Sequence, residues 1–139
     1  MANQAKNRRI LLVSTDKVFV QDVKAAFATS EAIELVVVDR NVIELRGEIQ
    51  DSDCGAVIID MDAARLEEIE SLQRVTRRLE GKAPVVVVTQ EFNAAAVRIL
   101  VQLQVADFLV KPVTTADLVR SCIRALQGSG REERSESEI

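Results

Sequence analysis

Five short runs of aliphatic and β-branched residues punctuate the chain: ILLVS (10–14), IELVVVD (33–39), GAVIID (55–60), PVVVVT (84–89) and DFLV (107–110). Unbroken apolar runs of this length predict strands buried on both faces. Between them lie segments whose apolar positions recur at helical spacing. In the first, Phe19, Val23 and Phe27 stand four apart and line one face. In the third, Leu66, Ile69, Leu72, Val75 and Leu79 form a stripe, with Glu67, Glu68, Arg74 and Arg78 turned away. The last, Thr114 to Gln127, opens on Thr114 and Asp117 at capping-box spacing and buries Leu118, Cys122, Ile123 and Leu126. Alternating units of this kind predict a parallel sheet with helices on both faces, and right-handed crossovers make it a doubly wound α/β sandwich.

One helical segment departs from the amphipathic rule. NAAAVRILVQLQVA (93–106) is interrupted only by Arg98, Gln102 and Gln104, with Val97 and Val101 flanking Arg98. A surface helix normally keeps a polar outer face. The pattern therefore predicts an exposed apolar patch of the kind that marks an interface.

Composition narrows the setting. At 139 residues the chain is long enough for one domain with a proper core and too short for two ordinary ones. We expect a flexible N-terminus over 1–8, the domain over 9–127, and a disordered tail or linker over 128–139, where GSGREERSESEI is polar and without periodicity. No apolar stretch approaches the roughly 20 residues needed to span a bilayer, and MANQAKNRR is no signal peptide. A cytoplasmic location follows as the expectation. The net charge of −4 argues against nucleic acid or anionic membrane as partner. Cys54 and Cys122 match no metal spacing, and the absence of histidine removes histidine triads, bases and ligands. No GK[ST] motif is present for a P-loop.

Ligands of doubly wound sheets bind beyond the carboxyl ends of the strands. The residues there are Ser14, Thr15 and Asp16, then Asp60, Thr89 and Lys111. A carboxylate, a hydroxyl and an ammonium meeting on one rim suit a phosphoryl group.

In order and spacing, AVIID ending at Asp60, PVVVVTQ with Thr89, and VADFLVKPVTTADL with Lys111-Pro112 resemble the receiver domain of bacterial response regulators. The likeness runs from Arg9 to Leu126. It implies a flavodoxin-like (βα)5 fold, CheY-like, with a five-stranded parallel sheet in the order 2-1-3-4-5. It implies that Asp60 is the phosphoacceptor in a two-component phosphorelay, charged by a sensor histidine kinase or a phosphotransfer protein. Chemically this is nucleophilic catalysis by a carboxylate, limited to forming and hydrolysing the protein's own acyl phosphate. Lys111 would stabilise the phosphoryl oxygens and Thr89 would donate its hydroxyl to one of them. Phe108 matches the aromatic switch position, and the Lys111-Pro112 bond is cis in relatives.

Two departures stand beside the likeness. Receivers carry two adjacent acids after the first strand, which hold Mg²⁺ together with the acceptor. Here Ser14 and Thr15 replace them, leaving Asp60 and, one residue late, Asp16 as weak candidate ligands. After Asp60 the chain reads MDAARLEEIE, without the family's Pro and Gly. Such changes are typical of pseudo-receivers, among them the atypical receiver of CpaE/TadZ-type pilus assembly and localisation proteins. The likeness also implies an output or dimerisation surface on the fourth and fifth helices and fifth strand, here Arg98, Val101, Phe108 and Arg120. Two functions are thus expected: a receiver phosphorylated on Asp60, or a non-phosphorylated interaction module that forms a homodimer or docks a partner protein.

Overall fold

β1 (Arg9–Val13) pairs in parallel with β2 (Glu34–Val38) on one side and β3 (Ala56–Asp60) on the other. β4 (Val85–Thr89) and the edge strand β5 (Asp107–Val110) follow, also parallel, giving the flavodoxin-like order β2-β1-β3-β4-β5. The computed structural model describes residues 8–30, 32–49, 53–91 and 93–138, with 128–138 as backbone alone. Strands alternate with α1 (Lys17–Phe27), the short 3-10 helix η1 (Val42–Glu44), α2 (Leu66–Leu79), α3 (Ala94–Gln102) and α4 (Thr115–Glu138).

The two-residue period of the strands sorts their side chains into two cores. Ile10, Leu12, Ile58, Val86 and Val88 face α1 and α4, meeting Phe19, Val23, Phe27, Leu118 and Cys122. Leu11, Val13, Val57, Ile59, Val85 and Val87 face η1, α2 and α3, meeting Val42, Ile69, Leu72, Val75 and Leu100. Both faces are covered, which is why the strands read as unbroken apolar runs.

Helix starts carry side-chain caps that take up otherwise unpaired N–H groups. Asp16 Oδ1 accepts from the N–H groups of Val18 and Phe19 ahead of α1. Asn93 accepts from Ala96 N–H at α3, and Thr114 Oγ1 accepts from Asp117 N–H at α4. α2 instead carries Glu67 and Glu68 in its first turn and Arg77 and Arg78 in its last, the charge order its dipole favours.

The structure corrects several expectations. Leu66 is 69% exposed, because it is the first helical residue and stands ahead of the stripe that meets the sheet. Glu68 is buried rather than turned away, since the first turn of α2 tucks beneath the β3–α2 loop. On α4 the buried face includes Ala125, whereas Ile123 lies at the margin, 40% exposed. The apolar segment 93–106 is helical only to Gln102, and Gln104 turns left-handed at φ 60°. The tail from Gly128, expected outside the fold as a disordered segment, continues α4 to Glu138. Residues 1–7 of the expected flexible N-terminus lie outside the described residues. Among the described residues no helix is long and apolar enough to cross a membrane.

Candidate functional site

Strand register assembles the rim. Val13 pairs with Ile59 and Asp60 with Val88, so Ser14 and Asp60 leave β1 and β3 at the same level. Thr89 pairs with Val110, which puts Lys111 one residue beyond β5 on the same edge. The peptide bond Lys111-Pro112 is cis. Ser14, Asp60, Thr89 and Lys111 are thus brought together by pairing alone, from segments as far apart as 97 positions in the chain.

The contacts are specific. Asp60 Oδ1 lies 2.9 Å from Lys111 Nζ. The Ser14 hydroxyl, buried, donates to Asp60 Oδ2 at 2.7 Å and accepts from the Asp16 N–H at 3.1 Å. Lys111 also donates to Asp16 Oδ2 at 2.9 Å, and its ammonium rests 4.8 Å from the centre of the Phe19 ring. Asp16 therefore does two jobs, capping α1 with one oxygen and holding Lys111 with the other. Thr15, the second residue at the acidic-pair positions, is exposed.

Charge follows this geometry. Hydrogen bonding from Lys111, then from the Phe19 N–H, holds the Asp16 carboxyl below the usual carboxylate range. Burial works against the Lys111 ammonium, but its bonds to Asp60 and Asp16 outweigh that and hold it above its ordinary value. The cluster is a carboxylate–ammonium–carboxylate triad carrying one net negative charge.

Thr89 is at the rim but engaged elsewhere. Its buried hydroxyl accepts from the Ala63 N–H at 3.0 Å and donates to the Glu91 carbonyl at 3.1 Å. It thereby stitches the β3–α2 loop to the β4–α3 loop. Phe108 is half-buried on β5 and packs against the α2/α3 core.

A Mg²⁺ site calls for carboxylates with free oxygens and room for waters. Here the two nearby acids have each oxygen in a hydrogen bond, and Ser14 points its proton at Asp60. Among the described residues no group of three Asp, Glu or Cys side chains is placed to hold a metal ion. Two carboxylates already engaged with Lys111, beside a hydroxyl that donates to one of them, are a poor match for the cation.

Sequence reasoning missed Glu68. Its Oε1 accepts from Asn41 Nδ2 and from the Asp62 N–H, both at 3.1 Å, tying the loop after Asp60 to the β2–η1 connection. An acid in the first turn reads as a solvated dipole partner, so only the loop path reveals it. Phe19 beneath Lys111 was legible solely as a core residue.

The expected interface residues lie on consecutive elements at the β5 edge. Arg98 is exposed and Val101 is 62% exposed on α3, whereas Phe108 is half-buried against the core; Val110, outside the expected set, is 38% exposed at the end of β5. Arg120 on α4 is exposed and sits 3.5 Å from Asp117.

A family model, response regulator receiver domain, matches residues 10–122. No sequence match to a curated protein was found. Similar solved structures include a CheY-like receiver domain protein from Methanospirillum hungatei, 18% identical, TM-score 0.77, covering 90% of this chain and 98% of the other. A pilus assembly-related protein from Burkholderia pseudomallei is 16% identical, TM-score 0.74, covering 89% and 92%. The chemotaxis protein CheY4 of Vibrio cholerae is 18% identical, TM-score 0.69, covering 84% and 97%.

Proposed function

Because the chain belongs to the response regulator receiver family, we propose that it is a receiver working as a protein-interaction module, with Asp60 held in a structural cluster rather than charged with phosphate. The observation that carries this reading is the engagement of Asp60. One oxygen accepts from Ser14 and the other faces Lys111, itself shared with Asp16. A carboxylate that accepts the Ser14 proton is a weaker nucleophile toward an anionic phosphoryl donor, and the acids that would recruit a screening cation are replaced by Ser14 and Thr15.

Receiver domains act through other proteins. Here the exposed Val101 and Val110, with Arg98 and Arg120 beside them, support the α3–β5–α4 face as the contact surface for a second copy or a partner protein. A neighbour of the same fold is a pilus assembly-related protein, and a role in such an assembly is the setting we propose. A second reading, a phosphorelay receiver charged by a histidine kinase, is favoured by the Asp60–Lys111 pair itself.

Incubation with acetyl phosphate and Mg²⁺, followed by intact mass measurement, separates them. The expected result is no added phosphoryl mass, with self-association or partner binding by light scattering that Val101→Asp weakens. A phosphoryl adduct on the parent protein that Asp60→Asn abolishes would establish the second reading instead.

A further inference from the structure

The strand-end rim presents four carboxylate oxygens, and each already accepts a hydrogen bond. Asp16 Oδ1 caps α1 through two N–H groups and Asp16 Oδ2 takes Lys111. Asp60 Oδ1 takes Lys111 and Asp60 Oδ2 takes the Ser14 hydroxyl. We infer that Lys111 is a built-in cation, a clasp between the first and third strand ends that closes this site to divalent metal. The inference deepens the proposed function, resting on the same cluster.

Several observations combine. Lys111 is held in place by two carboxylates and by the Phe19 ring below it, so it is no freely swinging surface chain. Asp16, one position later than the family's acidic pair, offers a metal only Oδ2, which Lys111 holds, because Oδ1 caps α1. Ser14 offers Asp60 a proton and so directs a positive partial charge toward the space beside that oxygen. A dication entering the rim would meet an ammonium, a hydroxyl proton and only one net negative charge. Hard cations leave their hydration shell reluctantly, and this site returns too little to draw them in.

The clasp also offsets the repulsion between the two carboxylates of the rim. Two carboxylates near each other repel unless a cation lies between them. In this chain the cation is covalently attached.

Amide NMR titration with MgCl2 tests this on the whole chain. Parent protein is expected to show no saturable shift at Asp16 or Asp60 at millimolar Mg²⁺. Lys111→Met leaves both carboxylates uncompensated, and it is expected to gain saturable shifts at those two residues and to recover thermal stability as Mg²⁺ is added. Lys111→Gln, which removes the charge but keeps a polar side chain of similar length, is expected to gain the same shifts and serves as the second route if Lys111→Met does not fold. Saturable binding by the parent overturns the inference, and so does a folded Lys111→Met that stays silent to Mg²⁺. Phosphorylation of Asp60 without metal binding would overturn the proposed function and leave the clasp standing.

Discussion

The strand-end rim and the α3–β5–α4 face share the β5 edge yet are finished in opposite ways. At the rim, Ser14, Asp16, Asp60, Thr89 and Lys111 all have partners within the chain. Among the described residues no buried side-chain nitrogen or oxygen lacks one. On the face, Val101 is largely in water and Val110 partly so, while the next residue inward, Leu100, is 1% exposed. A paired polar cluster is costly to disturb because each group left alone must bear its own desolvation. An exposed apolar side chain has no such tie and gains by meeting a partner. The rim is closed on itself by pairing, and the face leaves apolar side chains in water.

The sharpest break of this contrast is at adjacent positions of α3. Leu100→Ala empties a filled core position and is expected to cost about 3 kcal/mol by urea denaturation. Its neighbour Val101 should tolerate the same change within about 0.5 kcal/mol. Equal costs would mean that the face is packed rather than free.

Next comes Glu68, the hidden support of the rim. Glu68→Ala leaves the Asn41 amide and the Asp62 N–H without their acceptor, and a loss of about 2 kcal/mol is expected. Faster hydrogen exchange at Asp62 and Ala63, but not on α3, would mark the effect as local to the rim.

The smallest effect is in pH. Asp16 is held below its ordinary value of 3.8, so its contribution is complete above that value and is lost as pH falls below it. Lys111 is held above 10.5, so its contribution is complete below that value and is lost as pH rises through it. The buried Cys122 thiol, pushed up from 9.0 to about 12 by burial and by Asp107, adds a loss beginning above 9.0, where the unfolded chain can ionise. Thermal melts across pH should therefore show a plateau with an acid edge near pH 4 and an alkaline edge from about pH 9. In Lys111→Met the acid edge should soften, since Asp16 then keeps only its helix-cap bonds.

Much of this molecule was legible from period and order alone. Unbroken apolar strands, helical stripes and their alternation determined a parallel sheet covered on both faces. Motif spacing put Asp60, Thr89 and Lys111 on one rim, and the missing polar face of 93–106 left Val101 exposed on α3. These features are local, and burial on a regular element leaves a periodic trace. The partners of the polar groups leave none. That Ser14 would hand its proton to Asp60, that Asp16 would share Lys111, that Thr89 would be tied to Ala63, and that Glu68 would be buried under the loop after Asp60 depended on strand register and loop path. Register brings together residues 46 to 95 positions apart, and only the folded chain decides which oxygen each donor meets.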